Sequence, residues 1–253
     1  MRAVFLSDAH LKSLDDPEYQ KCMQFLDRLS GRGDGAKVPI FDENSIIDLL
    51  VVAGDFFDFW FERDGRIYPE FKPVIDRLLR LKRSGVRICL CEGNHDFFLA
   101  DYFTKILDIE VYPLEAQFDL DGKRIIVSHG DTVDQDNRRY QTLRRFLRSR
   151  LVYRLQRLLP LSFLWQLARF TSEISHGVSQ SAQERLAGIM HDYAVTQFQR
   201  GIDAVILGHS HQVKLEQTET EGGIKTFALL GDWTLHYSYL VFENGRFVLS
   251  RFV

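Results

Sequence analysis

Five short stretches of this chain carry residue types that bind metals or move protons: Asp8-Ala9-His10, Gly54-Asp55, Gly93-Asn94-His95-Asp96, His129-Gly130-Asp131 and Gly208-His209-Ser210-His211. Carboxylates, imidazoles and an amide, with no thiolate among them, suit Mn, Fe, Zn or Co. Two such ions about 3.5–4 Å apart can clamp a phosphate and activate a bridging water or hydroxide. Each stretch alone has a plainer meaning. Gly-Asn-His-Asp is a polar turn, because glycine and asparagine tolerate the dihedrals of a sharp bend. An isolated histidine is usually a satisfied structural residue. The chemistry is carried by the joint pattern.

Something must hold these stretches together. Each follows an apolar run with strand character: Ala3 to Ser7, Leu49 to Ala53, Val86 to Cys91, Arg124 to Ser128, and Ala204 to Leu207. Every polar block therefore stands just past the C-terminal end of a strand. In open α/β sheets that edge is where ligands bind.

The order D-x-H, G-D, G-N-H-D, H-G, G-H-x-H across residues 8 to 211 resembles the calcineurin-like metallophosphoesterases. The resemblance implies an α/β fold in which two facing sheets are flanked by helices, an αββα sandwich. It also implies two divalent ions, with Mn2+ the leading candidate and Fe, Zn or Co as alternatives. Asp8, His10 and His211 would hold the first ion, Asn94, His129 and His209 the second, and Asp55 would bridge them. His95 would face the phosphate without binding metal, stabilising charge or protonating the leaving group, with Asp96 expected to orient it.

Within that superfamily, Gly93-Asn94-His95-Asp96-Phe97-Phe98-Leu99 and His129-Gly130-Asp131-Thr132 resemble the UDP-2,3-diacylglucosamine hydrolases. Those enzymes split the pyrophosphate of a lipid A precursor into a lipid monosaccharide phosphate and UMP. The chain length, the aromatic run after Asp55, the Tyr140-Gln141 pair and the long insert match that plan. The resemblance implies a lipid-nucleotide substrate contacted by Asn94, His95, Asn137, Ser175, Ser179 and His209. There are departures. That family usually has Arg at the position of His95, and an Arg can grip a pyrophosphate bidentately where His cannot. Its Asp aligns with Asn137, next to Asp136, and its Lys has no counterpart. The alternative is a calcineurin-like phosphoesterase acting on a nucleotide, a phosphoprotein or another lipid pyrophosphate. A non-catalytic scaffold would be expected to lose ligands, and here the set is complete.

Length and composition agree with one domain spanning residues 1–253 that carries an insert over residues 138–200. Hydrophobic residues make up 45% and charged residues 26%, and the net charge is −3, ordinary for a globular protein. No apolar run reaches the ~20 residues of a membrane span. The N-terminus runs straight into the first block with no signal peptide, so the expected location is cytoplasmic. Cys22, Cys89 and Cys91 read as buried thiols of a reducing compartment.

Helical spacing predicts a helix over 17–29, with Asp15 or Asp16 as cap and Pro17 at its first position. It predicts others over 69–84, 100–107, 138–159, 161–170 and 181–200. Residues 30–44, rich in glycine and charge, read as an exposed loop. Glu110 to Leu120 and Lys123 to Val127 read as a hairpin turning at Asp121-Gly122, and Asn244-Gly245 marks another. The run Phe56-Phe57-Asp58-Phe59-Trp60-Phe61 is either a buried turn or the wall of an apolar pocket. Between Arg138 and Ser172 there is no acidic residue, while arginines alternate with apolar residues. That pattern fits a solvated helix face, a peripheral contact with an anionic membrane, or a lid over an anionic lipid. Its apolar interleaving and the acidic overall balance argue against nucleic acid. The oligomeric state is left open.

Overall fold

The computed structural model describes residues 1–30, 47–172 and 180–253, with side chains omitted for 169–172 and 180. The first strand, β1 (Arg2–Leu6), lies between two neighbours. On one side it pairs in parallel with β2 (Leu49–Ala53), which is followed by β3 (Arg87–Cys91) and β4 (Glu110–Tyr112), all parallel. On the other side β10 (Ser238–Glu243) and β11 (Arg246–Arg251) complete a six-stranded sheet in antiparallel register. The second sheet has five strands, in the order β5 (Glu115–Leu120), β6 (Lys123–Ser128), β7 (Ala204–Leu207), β9 (Gly223–Leu230) and β8 (Val213–Thr220). Here β6, β7 and β9 are parallel and the outer strands antiparallel.

The central strands are apolar on both faces because both faces are covered. Ala3, Phe5, Val51, Cys89 and Cys91 of the first sheet meet Ala116, Val127, Ile206 and Ala228 of the second in one buried layer. The opposite face of the first sheet, with Val4, Leu6, Leu50 and Val52, packs against helices α1 (Pro17–Leu29) and α2 (Lys72–Arg83). The outer face of the second packs Val205, Leu207 and Phe227 on Met190 and Ala194 of α7 (Gln180–Gln199). This is the expected αββα sandwich. All three cysteines are buried and free, and Cys89 and Cys91 share the inter-sheet layer.

Several expectations need correcting. The segment from Glu110 to Leu120 is two strands that belong to different sheets. Pro113, which can donate no backbone hydrogen bond, separates β4 on β3 from β5 on β6. The helix predicted over 100–107 is α3 (Ala100–Phe103), followed by turns. Pro17 opens α1 as expected. Asp16 flanks it, but its carboxylate accepts from Ser13 N and does not cap the helix. The helix predicted over 69–84 begins as a 3₁₀ turn at Pro69–Phe71 before α2. Most of the loop expected over 30–44 lies outside the described residues.

The aromatic run is a core turn. Phe56, Phe57, Phe59 and Trp60 are buried, and Phe57 and Trp60 pack on Phe71 and Phe103. Between β6 and β7 the described elements are all helices: α4 (Arg138–Leu147), α5 (Arg150–Gln156), α6 (Leu161–Ser172) and then α7. The long helix predicted over 138–159 breaks at Arg148, where Ser149 accepts from Val152 N and caps a new start. No helix among the described residues is long and apolar enough to cross a membrane.

Candidate metal centre

The blocks converge because the loops after the parallel strands are tied to one another. Asp8 N donates to Gly54 O (3.1 Å), His10 N to Asp55 O (3.0 Å), and Gly208 N to His129 O (3.0 Å). The backbone bends hard to make these ties. Asp8, His10, Asp55, His209 and His211 all adopt positive φ, between 45° and 63°. Such conformations cost non-glycine residues of order 1–3 kcal/mol each and cluster where a site demands them. The glycines serve close approach. A Cβ on Gly93 would lie 2.0 Å from Asp55 Oδ1, and one on Gly208 would lie 2.0 Å from Ser7 Oγ.

Three groups of donors result among the described residues: one is His10, Asp58 and His95, and the other two are those expected. Asp8, His10 and His211 bring ligand atoms within 4.8 Å of one another, and so do Asp55, His129 and His209. His211 Nε2 is 3.5 Å from Asp8 Oδ1, and His10 Nε2 is 3.9 Å from both Asp8 Oδ1 and Asp55 Oδ2. His129 Nε2 is 2.9 Å from Asn94 Oδ1, 3.2 Å from Asp55 Oδ2 and 3.1 Å from His209 Nδ1. Asp55 therefore stands between the two groups, reaching His10 on one side and His129 on the other. All seven metal residues expected from the sequence meet here.

The electrostatics show a centre that favours positive charge. Burial alone would raise the Asp55 carboxyl, but the imidazoles of His129, His95 and His10 outweigh it and hold the group well below the usual carboxylate range. Burial works against charge on His129, yet Asp55 overcomes it and brings the ring up to about 10. Burial and the adjoining His129 push His209 down to about 4, because two touching rings cannot both be charged. Both ring nitrogens of His10 are buried without a hydrogen-bond partner, Nδ1 lying 3.6 Å from Asp58 Oδ1. Unsatisfied buried nitrogens are costly, and a cation shared with Asp8 and His211 would satisfy one of them. The residues present fit divalent metal.

The neighbouring carboxylates differ from expectation. Asp96 accepts from the backbone of Asp55 (3.0 Å), Phe56 (2.7 Å), Phe57 (3.1 Å) and Gly93 (2.9 Å). It organises the turn that presents Asp55, and it is Asp58 that contacts His95: His95 Nδ1 is 3.1 Å from Asp58 O. Asp58 was missed because a lone acid inside an aromatic run carries no motif. Asp232 was missed too, although Gly231-Asp232 follows apolar β9 just as Gly54-Asp55 follows β2.

A cavity of about 880 Å³ opens over this centre, lined by His10, Asp55, Asn94, His95, His209 and His211 on one side. Asn137 and Tyr140 from the start of α4, and Gln183, Arg185, Leu186 and Ile189 from α7, form its other walls. Asn137 also caps α4, accepting from Tyr140 N at 3.2 Å. Ser175 and Ser179 lie outside the described residues. None of the aromatics from Phe56 to Phe61 lines the cavity.

The helices that follow β6 are tied to the sandwich. Arg144 pairs with buried Asp131 (2.5 Å), which also accepts from Tyr140 Oη (2.9 Å). Arg148 donates to Glu92 Oε2 (2.8 Å) and Gly93 O (2.6 Å), gripping the block that holds Asn94 and His95. Arg157 reaches Asp64 (3.4 Å). Some of the arginines that look unbalanced in the sequence thus find acids on other elements. Trp165 faces inward, donating to Phe61 O (3.3 Å) and packing on Tyr68. By contrast Leu143, Phe146, Leu151, Leu155, Leu158 and Phe163 are exposed.

Residues 1–213 match the calcineurin-like phosphoesterase family. Curated relatives cover almost the whole chain. A Pseudomonas putida protein named UDP-2,3-diacylglucosamine hydrolase is 28% identical over 98% of this chain and 98% of its own length. Proteins of that name from Proteus mirabilis (27% identical, 100% of this chain and 99% of the relative) and Vibrio cholerae (28%, 99% and 98%) are similar. The strand-end donors meeting around Asp55 and the match across both sheets agree: this chain belongs to the calcineurin-like phosphoesterase family.

Proposed function

We propose that the protein hydrolyses the pyrophosphate bond of UDP-2,3-diacylglucosamine, giving a diacylglucosamine 1-phosphate and UMP, a step of lipid A biosynthesis. The observation that carries this is the pair of donor groups joined through Asp55 on the floor of a cavity walled by the insert. Full-length similarity to hydrolases of that name supports the substrate.

Asp8, His10 and His211 would hold one ion, Asn94, His129 and His209 the other, with Asp55 shared; Mn2+ is the leading candidate. When bound, the ions would supply Lewis acidity toward a phosphoryl oxygen and lower the pKa of a water. The remaining work falls to the chain. A carbonyl oxygen can only accept, so the contact with Asp58 O puts the proton of neutral His95 on Nδ1. Nε2 is then the free nitrogen at the cavity, and in the imidazolium it carries the proton that can pass to the leaving phosphoryl oxygen. Asn94 and Asn137 carry amide N–H groups that would orient the phosphates, with Ser175 and Ser179 as further contacts.

An 880 Å³ cavity is within the ~300–1,000 Å³ range of small-molecule sites. It suits the polar part of such a substrate better than the whole lipid. The acyl chains would lie along the exposed apolar side chains of α4 to α6. Arg138, Arg139, Arg145, Arg150 and Arg154 stand exposed on the same helices. They would favour an anionic membrane surface by about 1 kcal/mol each when held near it, so the protein would work peripherally on the cytoplasmic face of a membrane.

The deciding experiment is to incubate Mn2+-loaded protein with UDP-2,3-diacylglucosamine and follow UMP. Stoichiometric UMP and lipid phosphate are expected. Turnover of small phosphodiesters with no UMP from the lipid substrate would move the protein to another activity of the same family.

A further inference from the structure

Asp232 is a buried carboxylate in the turn that follows β9. Its Oδ1 accepts from the backbone N–H of Thr234 (3.0 Å), Leu235 (2.7 Å) and His236 (3.3 Å) and from the Thr234 hydroxyl (2.9 Å). Its Oδ2 lies 3.0 Å from His236 Nδ1 and 3.5 Å from His211 Nδ1. The far nitrogen of His211, Nε2, lies 3.5 Å from Asp8 Oδ1, and the ring stacks on His10 with centroids 5.4 Å apart. The next residue locks this arrangement: Trp233 N donates to Asp8 O at 3.0 Å, and its side chain is fully buried.

We infer that Asp232 is a positioning residue for His211, accepting a hydrogen bond from its Nδ1–H and so turning the Nε2 lone pair toward Asp8 and His10. This rests on the dinuclear reading above. An imidazole binds a cation through one nitrogen only when the other carries the proton, and a carboxylate on that proton fixes the tautomer and raises ligand basicity. The loop donors all fall on Oδ1, which leaves the lone pairs of Oδ2 to the two rings. His236 and His211 can therefore both be served by Oδ2. The backbone donors on Oδ1 hold Asp232 still, so that Oδ2 is the oxygen left to aim His211.

The test is metal uptake by the full-length apo-protein, with no substrate present. Wild type should take up two Mn2+. Asp232→Asn keeps an acceptor oxygen for the loop amides and removes the charge. It should bind one ion as wild type does and the other about 10–100-fold more weakly, with unchanged near-ultraviolet circular dichroism. Two wild-type affinities in the variant would overturn the inference and leave the dinuclear reading standing. Fewer than two ions in wild type would overturn both. Should the variant not fold, long-range 1H–15N NMR of Zn2+-loaded wild type decides. A proton on His211 Nδ1 supports the role of Asp232, and a proton on Nε2 overturns it.

Discussion

The ring of His95 hangs from the backbone carbonyl of Asp58, with Nδ1 3.1 Å from the oxygen and the two residues 37 positions apart in the chain. The backbone N–H of the same His95 donates to Asp55 Oδ1 at 2.8 Å. One residue is thus gripped through its ring and its backbone by the loop that follows β2, and it lines the cavity. His95→Ala should retain full metal stoichiometry and lose about 10²–10⁴-fold in turnover, the usual worth of a general acid or base. Metal analysis beside kinetics checks this; loss of an ion equivalent would make His95 a ligand.

Asp55 touches both donor groups, so Asp55→Asn should abolish metal-dependent hydrolysis while the far-ultraviolet circular dichroism of the folded protein stays as in wild type. Near-normal turnover at saturating Mn2+ would remove Asp55 from the centre.

Gly93 tests the same carboxylate from the backbone side. A Cβ there would lie 2.0 Å from Asp55 Oδ1 and 2.4 Å from its backbone nitrogen. Gly93→Ala should destabilise by about 1–3 kcal/mol, as overpacking does, and lose activity with it. Denaturant unfolding measures the first effect and UMP release the second.

Arg148 joins the insert to the catalytic block through Glu92, and both side chains are largely buried. Arg148→Met leaves that carboxylate unpaired, and breaking a buried pair costs about 3–5 kcal/mol. The Glu92→Gln, Arg148→Met double variant should recover part of that loss. A single variant as stable as wild type would show that the insert is not held here.

Phe146 and Trp165 lie on the insert with opposite duties. Phe146 is 57% exposed, whereas Trp165 packs on Tyr68. Phe146→Asp should spare stability, weaken binding to anionic vesicles and slow a diacyl substrate more than a small soluble phosphodiester. Trp165→Ala should lower stability by on the order of 3 kcal/mol and slow both substrates alike. Equal losses from Phe146→Asp on both substrates would end the lipid role of this face.

Much of the site is legible in the sequence. Asp8, Asp55, Asn94, His129 and His209 could be picked out because each follows an apolar run, and parallel strands buried on both faces all end at one edge. Helix α1 was equally plain, since Pro17 marks its start and Tyr19, Cys22, Met23, Leu26 and Leu29 fall on one buried stripe. These signals are local, set by side-chain periodicity and backbone restriction.

What the tertiary structure decided is every pairing between distant residues. Periodicity cannot say that Glu110–Tyr112 joins one sheet and Glu115–Leu120 the other, because it reports which face of a strand is buried and not which neighbour the strand pairs with. It cannot distinguish a core turn from a pocket wall in Phe56 to Phe61, since both are apolar. It gave Asp96 the task of holding His95, because the two are neighbours in the chain. In space Asp96 is consumed by four backbone amides, and Asp58 meets the imidazole. Likewise the acid-free insert looks unbalanced until Asp131 and Glu92 arrive from other elements. Hydrogen bonds and ion pairs act over a few ångströms, whatever the separation along the chain, so only the folded arrangement reveals the partners of Asp58, Arg148 and Asp232.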